Sequence, residues 1–211
     1  MVYNGIETTT DQAIRGFDVL YFVQSVNAPI GSPAILPAFQ TGGTTTLGGE
    51  YIDNQTKQGR LLRKGTDEHG FELTQYFVPN DQALKDLEAA QASGDSIKVW
   101  EVVTDKSVAV DSEEEGVALY PAKFGYVKVG ELSYDHGDEL TEVSYDGNVV
   151  GRLRNGQFPL SEDDLNVIND LYEYQNPGET TGDYYDIQRE DSAGAEDTGE
   201  PGTEDTGESG A

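Results

Sequence analysis

Two histidines, each set among acids, are the residues best equipped for chemistry: His69 in Asp67-Glu68-His69 and His136 in Asp135-His136-Gly137-Asp138. One imidazole with two carboxylates is a workable donor set for a divalent transition metal. Both histidines fall in apparent turns between β-patterned segments, where Asp, Gly and His are favoured for conformational reasons. Neither has a second histidine at the i, i+4 spacing of a zinc-protease helix. The acidic run Asp111–Glu115 lacks the alternating ligands and central glycine of an EF-hand loop. Paired carboxylates are inevitable among 40 acids, and glycosidase chemistry needs two of them at a fixed separation across a cleft, which spacing along a chain does not establish. There is no GxSxG elbow, P-loop or dinucleotide fingerprint. Gly42-Gly43 and Gly48-Gly49 flank a threonine run, but no lysine follows in the P-loop position. The absence of cysteine excludes disulfides, thiolate metal sites and thiol catalysis. The reading is therefore of a chain that is not an enzyme, with no catalytic residue, no cofactor and no metal.

The charge balance narrows the partners. The chain carries 13 bases and 40 acids over 211 residues, a net charge of -27. Residues 190–211 hold eight acids and no base, leaving a net charge of -19 on residues 1–189. The body is thus acidic in its own right. Such a surface disfavours binding to phosphate backbones, because each contact requires a cation that displaces counterions. It also favours solubility and repulsion from anionic membranes. The first 16 residues have neither a basic region nor an apolar one and read as an N-terminal arm, not a signal peptide. The longest apolar run, Val19–Val23, is five residues and far too short to span a membrane.

The elements that would position any site alternate β patterns with one well-marked helix. Asp18–Val26 is apolar on both faces and is expected in the middle of a sheet. A second short strand is expected near Ala34–Phe39. Gln40–Arg60, with its glycines and threonines, reads as a long hairpin or an open loop, and loops of such length in compact domains tend to be functional. Phe71–Val78 alternates, with Phe71, Leu73 and Phe77 on one side and Glu72 and Thr74 on the other. Asp81–Ser93 carries Ala83, Leu84, Leu87 and Ala90 at helical spacing, with Asn80 as its expected cap and Gly94 as its stop. Ser96–Val103 and Val117–Tyr134 read as strands, the latter interrupted at Pro121, Gly125 and Gly130. Asp146-Gly147 is a strong two-residue hairpin signal, and Asn155-Gly156 reads as a further turn. Ser161–Gln175 reads as a second helix, opened by a capping box of Ser161 and Asp164. From Gly178 onward the pattern collapses into a polar linker and an acidic repeat, Glu196–Pro201 and Glu204–Ser209, too poor in apolar residues to order. The expected organisation is an arm over 1–16, a β domain over 17–160 with a long loop at 40–60, a helix over 161–177 and a disordered acidic extension over 178–211.

This order of segments resembles the major tail protein (tail tube protein) family of long, non-contractile-tailed bacteriophages of Gram-positive hosts. The resemblance rests on Gly16–Val23, on Asp53-Asn54-Gln55-Thr56-Lys57-Gln58, on Phe71–Thr74 running into the helix and Ile97–Val103, and on Ala122–Val129 with Leu140–Gly151. It covers about residues 14–155. Gln58 departs from the family's loop pattern, where an aspartate is usual, and the second helix and acidic extension have no counterpart in the family core. The resemblance implies a mainly β fold, sandwich or barrel-like, with a helix packed on the sheets. It implies homo-hexameric rings stacked into a tube in the virion tail, made in the host cytoplasm. A tape measure protein would lie inside, tail terminator and distal tail proteins at the ends, and DNA would pass without specific binding. It also implies that a long loop clamps one ring onto the next, which places Gly48, Gly49, Tyr51, Ile52, Asp53, Thr56 and Lys57 at an inter-ring contact. Arg60, Arg63 and Lys64, clustered beside that loop in an acid-rich chain, are expected to meet carboxylates of a neighbouring subunit or to balance local surface charge. Two other classes remain open at this point. One is a β-sandwich carbohydrate-binding or adhesion module with an acidic tail, suggested by the 12 tyrosines. The other is a hydrolase working through scattered carboxylates.

Overall fold

The computed structural model describes residues 13–114, 116–137 and 139–168. Residues 1–12 of the expected arm, the second helix beyond Ile168 and the acidic extension lie outside the described residues. The chain divides after Leu165 into two units, and every strand lies in the first. The elements are β1 (Val19–Ser25), β2 (Gln40–Thr56), β3 (Gly59–Tyr76), α1 (Gln82–Ser93), β4 (Ser96–Val103), β5 (Val110–Asp111), β6 (Val117–Asp135), β7 (Glu142–Val149), β8 (Arg154–Ser161) and α2 (Glu162–Ile168). The fold is mainly β, and every strand pairing is antiparallel.

The sheet runs β1-β4-β6-β7-β3-β2, with β5 and β8 both added to β6. β6 is its spine. One of its edges carries β4 along Ala122–Lys128 and β5 at Ala118–Leu119; the other carries β8 along Val117–Phe124 and β7 along Val127–Asp135. The sheet curls so that its ends approach. Gln40 at the start of β2 uses its side-chain amide as a surrogate strand: Tyr21 N–H donates to Gln40 Oε1 at 3.0 Å, and Gln40 Nε2 donates to the Tyr21 carbonyl at 2.7 Å. The Tyr21 ring lies over Gly43, where a Cβ would stand 2.1 Å from Cε2, so only glycine fits there.

α1 fills the interior of the curl. Its Ala83, Leu84, Leu87 and Ala90 are buried against Tyr21, Val23, Phe71, Leu73, Ile97, Val99, Val127, Val143 and Tyr145. Full burial of a leucine contributes about 1.5–3 kcal/mol, and this one helix brings five strands into a common core. A buried polar network sets its angle. Asp81, not Asn80, is the cap, accepting the Ala83 N–H at 2.9 Å. The same carboxylate accepts from Gln75 Nε2 at 2.7 Å and from the Ala38 N–H at 3.1 Å. Tyr145 donates to Gln75 Oε1 at 3.1 Å, and burial raises its phenol pKa. Gly94 closes the helix in the left-handed region, at φ 72°. Farther along α1, Glu88 accepts from the Tyr134 hydroxyl; partial burial together with that bond pushes the Tyr134 phenol up to about 12.

A second apolar cluster lies on the other face of β1 and β4. Phe22 stacks on Phe158 at 4.8 Å, and Trp100 meets Phe124 at 5.1 Å and Phe158 at 5.9 Å. This explains why β1 is apolar on both faces although it ends the strand order instead of occupying its middle. α1 covers one face and β8 the other, while the free edge is closed by Gln40 and by the Val23–Ile35 bridge. That bridge is all that forms in place of the strand expected near Ala34–Phe39.

Neither two-residue turn signal forms a turn; at the first, packing overrides it. Asp146-Gly147 lies inside β7, because a Cβ at Gly147 would sit 2.2 Å from Val127 Cγ1 and the glycine serves close approach. Asp146 accepts the Glu131 N–H at 2.7 Å, satisfying β6 where its register shifts between Val129 and Leu132. Asn155-Gly156 lies inside β8, and the chain turns at Val150–Leu153 instead. β6 is continuous through Pro121 and Gly125, while Gly130 falls at the register shift, as an interrupting glycine is expected to. The capping box forms as its residues predict: Ser161 N–H donates to Asp164 Oδ2 at 2.8 Å and Asp164 N–H to Ser161 Oγ at 3.1 Å.

Candidate assembly surfaces

The segment 40–60 is one side of a long hairpin. β3 pairs with β7 only along Gly70–Tyr76, whereas β2 and β3 pair with each other as far as Thr56 and Gly59. The outer part therefore projects as a two-stranded arm. Tyr51, Ile52, Asp53, Thr56 and Lys57 all lie on it, as do Arg60, Arg63 and Lys64, and all eight are exposed. Thr56 tightens the tip by donating its hydroxyl to the Gly59 carbonyl at 2.7 Å.

Gly48 and Gly49 stand at the base of this arm, opposite Glu68 and Asp67. The register shifts between Gly49 and Tyr51. A Cβ on Gly48 would meet the Glu68 carbonyl at 2.8 Å, and one on Gly49, at φ +154°, would meet the Thr66 carbonyl at 2.8 Å. Beside this bulge lies an ion cluster. Asp67, with its side chain only 3 % exposed, pairs with Lys64 through Oδ1 and with Arg152 through Oδ2. Lys64, aided by Arg152, holds the Asp67 carboxyl below the usual range against the opposing effect of burial. Arg152 belongs to the β7–β8 turn, and the adjacent Leu153 N–H donates to His69 Nδ1 at 3.1 Å. The base of the arm is thereby tied to that turn. Sequence reasoning missed Asp67 and Arg152 as partners, since they are distant in the chain.

The interface cations divide into two kinds. Arg60 is paired with Asp53 at 2.7 Å and Lys64 with Asp67, while Arg63 has no ion pair among the described residues. The exposed Arg60–Asp53 pair is solvent-screened and contributes little to stability.

A second surface lies on the open side of the β2–β3–β7–β6 sheet. Register places Thr44, Glu72 and Asp146 in one row, with Glu131 bonded to Asp146, and Thr74, Ser144 and Ser133 in the next. None of these seven residues is basic or aromatic. They are exposed or half-buried, while alternate residues Phe71, Leu73, Val143 and Tyr145 are buried beneath. A shallow depression of about 290 Å³ on this face is lined by the carboxylates Glu72, Glu131 and Asp146 and by hydroxyls, together with Leu73 and Tyr145.

The two histidines and the acids around them are not assembled into a site. His69 is within β3, not in a turn, and accepts from Leu153; His136 stacks on Tyr134 and approaches Thr141 Oγ1 at 3.3 Å. No group of three or more His, Cys, Asp or Glu able to hold a metal occurs among the described residues. Glu115 lies outside them, and Asp111 is an exposed residue of β5. The aromatic residues pack mainly on each other, Tyr21 on Phe71 at 5.9 Å in the core and Trp100 on Phe124 at 5.1 Å across paired strands. No described helix is long and apolar enough to cross a membrane.

A curled sheet plugged by a helix, with a projecting basic arm and an acid-and-hydroxyl face, describes a structural subunit built to associate. The chain belongs to the phage tail tube protein family, whose profile matches residues 13–154. It is similar to the tail tube protein gp17.1* of Bacillus phage SPP1, at 37 % identity over 172 residues and 81 % of this chain. The chain spans about 62 % of that relative's own length. The hybrid solid-state NMR and cryo-EM structure of the SPP1 tail tube is similar in fold, with a TM-score of 0.57 at 34 % identity over 81 % of this chain and 95 % of that one. A chain in the virion of a native gene transfer agent shares the fold alone, with a TM-score of 0.52 at 12 % identity over 68 % of this chain and 99 % of that one.

Proposed function

We propose that this protein builds the tube of a phage tail in the virion. Copies close into rings, six to a ring, and the rings stack into a conduit through which DNA passes during ejection. The tape measure protein occupies the bore before ejection, and terminator and distal proteins cap the two ends. The hairpin arm, with Gly48 and Gly49 at its base and Tyr51, Ile52, Asp53, Thr56 and Lys57 along it, joins one ring to the next; Arg60, Arg63 and Lys64 contribute to that contact.

The observation that carries the proposal is the open face of the β2–β3–β7–β6 sheet. Its two central rows hold Thr, Ser, Asp and Glu with Gly42 beside Thr74, and no base; Lys128 stands one row out, opposite Asn148. Duplex DNA carries one charge per about 1.7 Å of axis and binds wherever cations release its counterions. A wall with hydroxyls and carboxylates gives it no such foothold, so we assign this face to the bore.

The test is cryo-EM of tubes grown from concentrated protein, which should place Glu72 and Ser144 on the inner wall. Tubes carrying Glu72→Lys and Ser144→Lys should retain fluorescent duplex DNA that unaltered tubes release. A bore lined by Lys or Arg, or a stable monomer that binds glycans saturably, would overturn the proposal.

A further inference from the structure

The arm exposes apolar side chains on both of its faces, which an element lying on a single surface does not need. Residues directly opposite in an antiparallel pair share a face, and successive pairs alternate. Tyr51↔Lys64 and Asp53↔Leu62 therefore fall on one face, with Ile52↔Arg63 and Asn54↔Leu61 on the other. The Arg60–Asp53 ion pair fits this assignment, since Gln55↔Arg60 is the next pair on the first face. Each face presents a diagonal apolar pair: Tyr51 (64 % exposed) with Leu62 (52 %), and Ile52 (53 %) with Leu61 (44 %). A lone two-stranded hairpin gains nothing from such residues in water. An arm resting on one partner would keep its outer face polar, as one-sided sheets do.

Charge identifies the covering partner. Residues 50–64 hold four bases and two acids, a net charge of +2, while the rest of the chain holds nine bases and 38 acids, a net charge of -29. Every copy of this chain thus offers an acid-rich body to a basic arm. The cations on the Tyr51 face already have carboxylate partners, Arg60 with Asp53 and Lys64 with Asp67, but Arg63 on the Ile52 face has none among the described residues.

We propose that the arm is inserted between two other copies of this chain, each covering one face. The copy on the Ile52 face supplies the carboxylate that meets Arg63. The inference rests on the reading of the arm as the ring-to-ring contact, and adds that each arm joins three subunits instead of two.

Three variants of the full chain test it: Tyr51→Ser with Leu62→Ser, Ile52→Ser with Leu61→Ser, and a chain whose arm is shortened to an Asn-Gly turn. Critical concentration for assembly is read by sedimentation, and folding of the subunit by Trp100 fluorescence. Each single-face variant should raise the critical concentration at least about tenfold, with an unchanged subunit melt. A single-face variant that assembles like the unaltered chain overturns the two-sided insertion. An arm-shortened chain that does so overturns the inter-ring reading beneath it. Benzoylphenylalanine placed at Asn54 or at Gln55, adjacent positions on opposite faces, should cross-link to different stretches of other copies. Cross-links from both positions to one and the same stretch also overturn the proposal.

Discussion

Replacing Asp81 with alanine should be among the most damaging single changes available to the subunit, and its cost can be worked from three hydrogen bonds. The carboxylate caps α1 through the Ala83 N–H and also accepts from Gln75 Nε2 and the Ala38 N–H. Loss of an N-cap costs about 1 kcal/mol. Leaving two further donors without an acceptor in a site where Gln75 is fully buried costs about 1–3 kcal/mol each. Allowing for local relaxation, Asp81→Ala should destabilise by about 3–5 kcal/mol, which for a unit of this size lowers the melting temperature by about 10 °C or more. Asp81→Asn retains one acceptor oxygen and should lose distinctly less. Urea unfolding followed by the fluorescence of Trp100, the single tryptophan, reads both. An Asp81→Ala loss under about 1 kcal/mol, or equal losses for the two variants, would refute the idea that this carboxylate locks α1 into the curl.

Three further outcomes are expected. Gly147→Val should force its side chain into Val127 and destabilise the subunit by about 1–3 kcal/mol or more; a thermal melt checks this, and an unchanged melt would refute the close packing. The Asp67 carboxyl should titrate below its ordinary value of about 3.9. Its contribution is fully present above that unfolded value and fades only as pH falls through the lower folded one. Carbon-13 NMR titration should show the low midpoint, and Lys64→Ala should move it upward. Finally, association of a basic arm with an acidic body is screened beyond about 10 Å at 0.1 M salt, so raising salt to about 0.5 M should increase the critical concentration for assembly measured by sedimentation.

Local chemistry is what the sequence made legible. The stripe Ala83, Leu84, Leu87 and Ala90 locates α1, Gly94 its end, and the alternation Phe71-Glu72-Leu73-Thr74 both the core side and the open side of β3. The same alternation in Ser144-Tyr145-Asp146 marks the open face, once the strand is recognised to run through Asp146-Gly147. It is hidden because the local preference of Asp-Gly for a turn loses to a tertiary demand, the space taken by Val127. Long-range pairings leave no local trace. Nothing near Asp67 points to Arg152, and nothing near Gln40 points to the backbone of Tyr21. Two apolar faces suggest a place for β1 in the middle of the sheet because they usually mean burial between layers; here the layers are α1 and β8, not neighbouring strands. Composition singles out the arm's exposed residues, but which of them share a face emerges only from the register of β2 against β3.

The arm's attachment has a consequence for the order of events during synthesis. β2 and β3 leave the ribosome early, yet the body strand beside β3 is β7, and the arginine that braces the arm's base lies in the turn after it. Until that later stretch has been translated, the hairpin has nothing firm to stand on. A nascent chain therefore carries the hairpin without its β7 neighbour and without Arg152 at its base until those later residues have been made.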